Sequence, residues 1–458
     1  MAVEITRTPA SNGNQKIWTW SAWVKKQTVG MGSGDYQQLF TANVGNSSRY
    51  TDIYFREDYF EVFGGVYSTS PTTVDINVST NRVFRDPSAF YHLVVAVDTT
   101  QSTAADRVKI YVNGAQETSL KNYQGSTVVY PGQNNNTFMN VTTAQNRIGA
   151  SGGSYPFKGL MSHIHFIDGT AYPASTFGET DSTSGIWKPK TAPSVTYGTN
   201  GFFLKFENSG NLDLDSSGNN HTFSTSGTLI QNVDTPSNVY TTWNNGSKRE
   251  TATNGALQIH PAGDASYSYS VSTLGASKGK WYFEFKSNAG NGRALIGMVK
   301  SDYAPEQIGD NEEPGANAHS FAYRQNQGDI QMNNSTSSYG TQVTWTVDGG
   351  ILMMAVDLDN NKVWYGVDGT WQNSGDPANG TNGFDWSTVR TADEPYLCLV
   401  GDDSSSAYGN TQANFGSGYF GTTAVASANS DANGHGLFEY TVPTGFYTLN
   451  TKNIKEFG

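Results

Sequence analysis

Apolar and polar positions alternate along this chain in short runs. Residues 17–24, Ile-Trp-Thr-Trp-Ser-Ala-Trp-Val, set large apolar side chains against small ones, the pattern of a half-buried strand. Residues 90–97, Phe-Tyr-His-Leu-Val-Val-Ala-Val, form a nearly continuous apolar run, which suits a central strand covered on both faces. Residues 107–112 alternate again and lead into Asn113-Gly114, two residues that tolerate the positive φ of a tight hairpin turn. Residues 159–167 close this first block, and a short helical turn is expected at 173–177, with Pro173 at its start and Gly178 after it. A second block of strands is expected at 280–285, 294–299, 320–332 with a bend at Gly328, 351–356, 362–365 and 395–400. The stretch 187–255 is rich in Pro, Asn, Ser, Thr and Gly and holds one convincing strand, 201–206. The expected fold is all-β: two antiparallel β-sandwich domains, residues 1–190 and 256–458, joined by a polar connecting segment, 191–255.

Composition narrows the partners. The 458 residues are 13% aromatic and only 15% charged, the reverse of a disordered chain. Twenty-eight basic against 40 acidic residues give a net charge of −12, which argues against nucleic acid as a partner. The longest apolar run, 351–356, is far short of the ~20 residues of a membrane helix, so no membrane insertion is expected. The first residues lack an apolar stretch, so no signal peptide is expected. The single Cys398 lies in a strand-like run and reads as an inert core thiol of a chain made in a reducing compartment.

Longer motifs carry a resemblance. Arg7-Thr-Pro-Ala-Ser-Asn-Gly13, Trp18-Thr-Trp-Ser-Ala-Trp-Val-Lys25, Tyr91-His-Leu-Val-Val-Ala-Val97, Val108-Lys-Ile-Tyr-Val-Asn-Gly114, Lys158-Gly-Leu-Met-Ser-His-Ile-His-Phe-Ile-Asp-Gly169 and Thr176-Phe-Gly178 follow in order. This block resembles the laminin-G-like, concanavalin A-like jelly rolls of bacteriophage tail and virion proteins. Gly279-Lys-Trp-Tyr-Phe-Glu-Phe285, Ala294-Leu-Ile-Gly-Met-Val299, Ala355-Val-Asp-Leu-Asp-Asn360, Lys362-Val-Trp-Tyr365 and Gly369-Thr-Trp-Gln-Asn-Ser-Gly-Asp-Pro377 follow later. They are similar to the SPRY-like β-sandwiches of the same proteins. The resemblance implies a non-enzymatic tail-fibre or appendage subunit, made in the host cytoplasm and carried on the virion. It implies adhesion to host cell-surface glycans or receptors, other virion proteins as partners, and a homo-oligomer, a trimer. Two alternatives stay open: a purely structural virion protein, as capsid decoration or tail component, and a carbohydrate-active enzyme. Such proteins begin with an extra strand ahead of the Arg-Thr-Pro segment, and only residues 1–6 precede it here. The strand 201–206 is expected to fold back and cover that edge, unless the N-terminal arm is captured by another subunit.

Candidate chemistry is sparse. A glycosidase needs two carboxyls about 5–10 Å apart. The nearest cluster, Glu57-Asp58-Tyr-Phe-Glu61, puts adjacent acids on opposite faces of a strand and reads as a solvated hairpin tip, so no catalytic residue is assigned. His163 and His165 share a strand face at a spacing that suits a metal, but no third ligand accompanies them and they read as core imidazoles. Asp213, Asp215 and Asn219 surround a turn at Gly218 and are the candidate Ca²⁺ ligands; the competing reading is an Asx-turn loop bonded to its own backbone. The Asp357-Leu-Asp359-Asn-Asn361 turn has the same ambiguity, and no other cofactor is expected. Tyr54, Tyr59, Tyr67, Tyr155, Tyr323, Tyr339 and Trp371 lie in or beside polar turns, where their rings could stack on sugar faces. No one of them is singled out as a ligand contact.

Overall fold

A computed structural model describes residues 2–44, 47–66, 73–123, 127–183, 185–245, 250–261, 269–288, 294–303, 313–325, 327–339, 348–402 and 410–458. The chain is all-β and divides into two compact units, Met1–Gln231 and Asn232–Gly458. The stretch 191–255, expected as a connecting segment, is therefore shared between the two units. Its one short strand expected from sequence belongs to the first.

The first unit is a sandwich of two antiparallel sheets. The larger has the order Leu120–Lys121, Thr73–Val83, Tyr59–Val66, Ser47–Arg56, Tyr36–Val44, Gln145–Ile148, Glu4–Arg7, Ser224–Ser226. The smaller runs Phe202–Leu204, Gly159–Asp168, Ile17–Lys26, Tyr91–Asp98, Val108–Val112, Ala115–Glu117. Alternation decides what lies between them. Trp18, Trp20, Ala22 and Val24 from one sheet meet Phe40, Ile53, Phe55, Phe60 and Val62 from the other, all fully buried. The apolar run at 91–98 is covered on both faces, as its pattern suggests: Leu93, Val95 and Val97 enter the main core, while Val94 packs with Ile167, Phe177 and Trp187 behind the smaller sheet.

The edges correct one expectation. The strand Phe202–Leu204 does return to the first unit, but it pairs with Gly159–Asp168, with Phe166 opposite Phe202. The edge beside the Arg-Thr-Pro segment is covered by Ser224–Ser226 instead, with Ile5 opposite Thr225. The reason is burial. Phe202 and Leu204 need the interior between the sheets, whereas Ser224–Ser226 is exposed and supplies backbone pairing without apolar side chains.

The second unit is also built on two antiparallel sheets. One contains Glu250–Thr253, Gln258–Pro261, Asn410–Asn414, Lys280–Asn288, Asp348–Asp357, Lys362–Val367 and Thr370–Trp371, with Phe384–Asp385 also on Lys362–Val367. The other has the order Tyr269–Ala276, Tyr396–Asp402, Ala294–Lys300, Ser320–Arg324, Asp329–Met332, Ser335–Ser338. Trp281, Phe283, Phe285, Ile296, Phe321 and Tyr365 are among the buried residues of its core. Gly328, at φ 66°, closes a hairpin between two strands where one bent strand was expected. Cys398 is buried in this core, and burial pushes its thiol well above the ordinary range.

Candidate ligand-binding face

The outer side of the larger sheet in the first unit is where polar and aromatic groups gather away from the core. A strand shows its two faces alternately, so the positions that flank core residues point outward. In Ser47–Arg56 these are Tyr50, Asp52, Tyr54 and Arg56; in Tyr59–Val66 they are Tyr59, Glu61 and Phe63. Registry lines them up in rows across the strands: Lys121, Ser79, Glu61, Tyr54, Gln38 in one, and Phe63, Asp52, Thr41, Arg147 in the next. A third row places Tyr59 opposite Arg56 and Arg56 opposite Tyr36.

Aromatic rings form a ladder that rises out of this face. Tyr54 meets Tyr36 edge-on at 5.5 Å between centroids, and Tyr36 meets Tyr155 at 5.3 Å. Tyr155 is 54% exposed, with φ 52°, so the ladder starts in the sheet and ends in solvent. Beside it the Arg56 guanidinium lies 3.5 Å from the Tyr123 ring centroid and 5.2 Å from that of Tyr36. Lys121 Nζ lies 3.1 Å over Tyr59. The Tyr123 hydroxyl donates to Glu57.

Two acids lie beneath. Glu61 is fully buried, and its oxygens accept from the Tyr54 hydroxyl and the Ser79 hydroxyl, each at 2.9 Å. Burial pushes its carboxyl above the ordinary range. Burial, with the Glu61 charge adding, raises Asp52 to about 7. The two are diagonal neighbours on adjacent strands, about 7–8 Å apart by sheet geometry. That separation matches what glycosidases use. Glu61, however, is closed off from solvent with both oxygens engaged, an arrangement that positions Tyr54 rather than one that delivers a proton to a substrate.

The expected hairpin tip at Glu57-Asp58-Tyr-Phe-Glu61 is thus corrected. Only Glu57 and Asp58 form the turn, and Asp58 is buried. Asp58 accepts from Lys26 at 3.1 Å and Arg85 at 2.6 Å. Burial pushes the Asp58 carboxyl up, but the Arg85 hydrogen bond and the Lys26 charge outweigh this and leave it below its usual value. Sequence reasoning passed over Asp52, Arg56 and Glu61 as members of one face. The available signal was the outward set Tyr50-x-Asp-x-Tyr-x-Arg56 followed by Tyr59-x-Glu-x-Phe63.

Of the aromatic candidates, Tyr54, Tyr59 and Tyr155 meet on this face. Tyr67 lies outside the described residues. Tyr323 and Tyr339 are buried in the second core, and Trp371 packs edge-on to Tyr282 at 6.4 Å.

Asp213, Asp215 and Asn219 each bond a different part of the chain. Asp215 is buried and accepts from the backbone N–H of Phe203, Ser217 and His221 at 2.9–3.0 Å. Asn219 Nδ2 donates to the carbonyls of Gly198 and Gly201, and Asp213 accepts from the Thr225 hydroxyl. These bonds fix the chain around Phe202–Leu204. Asp357 is engaged likewise by the N–H groups of Asp359 and Asn360 and by Lys280.

The imidazoles lie behind the smaller sheet. A β-bulge falls between Ser162 and His165, and His163 has φ 48°, so simple alternation does not set their directions. His92 accepts the Trp187 indole N–H at Nδ1 and so holds its own proton on Nε2, toward Ser21. Burial lowers it to about 3 and takes His165 well below its ordinary value. A histidine that donates to serine is no base for it. Among the described residues no three His, Cys, Asp or Glu side chains are grouped to hold a metal.

No family model matches the sequence, and no curated protein matches it. Solved structures do. The SPRY domain of human HERC1 is 14% identical, with 36% of this chain and 92% of that one covered, at a TM-score of 0.29. The TRIM65 PSpry domain is 11% identical, with 38% and 87% covered, at 0.28. Stonustoxin is 12% identical, with 38% of this chain and 27% of that one covered, at 0.27. Likenesses this low say nothing of function; the sandwich fold rests on the sheets of the chain itself.

Proposed function

We propose that this chain is a non-enzymatic adhesion protein whose first unit binds cell-surface glycan on the outer face of its larger sheet. The observation that carries the reading is the Tyr54–Tyr36–Tyr155 ladder, which exposes its last ring and has Arg56 over its middle one. Sugar rings stack their apolar faces on such aromatics while polar neighbours bond the hydroxyls. Taken with the order of its sequence motifs, the reading makes the chain a subunit of a bacteriophage appendage, where many weak sites act together.

Glycan-array binding of the intact protein tests it, with Tyr155→Ala as the variant. Removing the half-exposed ring forfeits its edge contact with Tyr36, about 0.5–1.5 kcal/mol, which leaves the fold intact. Loss of one stacking platform is expected to weaken binding about tenfold. Labelled antibody on intact particles should place the chain on an appendage. Absence of any glycan binding would favour the purely structural role, and release of reducing ends from bound polysaccharide would make it a hydrolase.

A further inference from the structure

We infer that the outer face recognises a glycan bearing carboxylate groups, an acidic sugar of the uronic or sialic type, through Arg56 with Lys121 beside it. This rests on the adhesion reading and gives it a substrate class. Arg56 lies over the rings of both Tyr36 and Tyr123, and Lys121 caps Tyr59. Among the described residues neither cation is in an ion pair, and Arg56 Nε is buried with no hydrogen-bond partner. Several other cations of this unit do have acidic partners, Lys26 and Arg85 with Asp58, Arg82 with Glu117 and Arg147 with Glu4, while Arg7 and Arg107 bond amide and backbone oxygens and Arg49 lies over Phe138.

A guanidinium packed on two rings has little freedom left to lose on binding, and its planar fork matches a carboxylate better than an ammonium does. Its position on Tyr36, the middle ring of the ladder, places the charge next to the stacking surface. A sugar ring over Tyr36 and Tyr155 would thus bring a ring carboxylate toward Arg56. Burial pushes the carboxyls of Asp52 and Glu61 upward, while the Arg56 and Lys121 charges pull Glu61 the other way.

The test measures binding of the whole protein to three acidic oligosaccharides, oligogalacturonate, hyaluronan fragments and sialyllactose, each against its own carboxyl methyl ester. Neutral and sulfated oligosaccharides complete the set. At least one acid is expected to bind about tenfold tighter than its ester, the worth of a charge-assisted bond, and added salt should narrow the difference. Arg56→Gln should close the gap between that acid and its ester. Lys121→Gln, at the sheet edge, should narrow it, and it provides the readout if Arg56→Gln fails to fold by circular dichroism. Equal binding of acids and esters, or binding confined to neutral or sulfated sugars, overturns this inference and leaves the adhesion reading standing. Binding of no saccharide removes both.

Discussion

Glu284, in the second unit, accepts from four donors. These are the Tyr282 hydroxyl at 3.0 Å, the Asn414 amide at 3.2 Å, and the backbone N–H groups of Glu439 and Tyr440 at 2.9 and 2.8 Å. It therefore ties the segment around Phe438 to the sheet. Burial nonetheless raises its carboxyl from the ordinary 4.5 to about 7. The folded state then binds a proton that the unfolded chain has lost, so stability falls as pH rises from about 4.5 to about 7 and is level beyond. Glu284→Gln removes the titration but turns an amide nitrogen toward N–H donors. The variant should be less stable than the parent throughout, by a margin larger at pH 5 than at pH 8. Thermal unfolding at both pH values checks this, and parallel profiles would refute it. A buried acid of this kind is hard to read from sequence, because Lys280-Trp-Tyr-Phe-Glu-Phe285 shows only that Glu284 lies in a strand. Three of its four donors come from 130–156 residues further along the chain.

At the scale of elements, the strands with strong apolar runs were legible and those that carry the polar, aromatic outer face were not. Residues 91–98 announce a doubly covered strand by Leu93, Val94, Val95 and Val97. The strands Tyr36–Val44, Ser47–Arg56 and Tyr59–Val66 mix Gln, Asp, Arg and Glu with their aromatics, because one side of each is core and the other is the polar face. That polar face blurred the hydrophobic signal in these three strands. The Asp213–Asn219 loop was legible as a polar turn, but the choice between cation and backbone depended on where Phe203 and His221 present their N–H groups. Since Asp215 accepts three amides, Asp215→Ala should cost about 3 kcal/mol or more, and Asp215→Asn, which keeps a carbonyl oxygen, should cost less. Chelator should leave the parent's melting temperature unchanged. A fall on chelation, restored by calcium, would assign the loop to the ion instead.

At the scale of the whole molecule, the division at Gln231 and Asn232 has a consequence that composition alone does not reveal. Pro- and Asn-rich sequence from 191 to 255 looks like linker, yet it supplies Phe202, Leu204 and Phe223 to the first core and Trp243 to the second. A fragment ending at residue 190 lacks all three apolar side chains and both edge strands, Phe202–Leu204 and Ser224–Ser226. Loss of a buried Phe or Leu costs about 2–5 kcal/mol, so three of them together cost about 6–15 kcal/mol, comparable with the ~5–15 kcal/mol that holds a typical domain together. The fragment 1–190 should be unfolded or aggregated, while 1–231 folds and retains every residue of the aromatic face. Likewise 256–458, without Trp243 against Phe415 at 4.9 Å, should melt well below 232–458. Proton NMR dispersion and thermal melts of the four fragments decide the matter, and a well-folded 1–190 would show that the returning strands are dispensable. Glycan binding by 1–231 alone, matching that of the intact chain, would then locate adhesion in the first sandwich; loss of binding on separation would mean that the second unit takes part in the site.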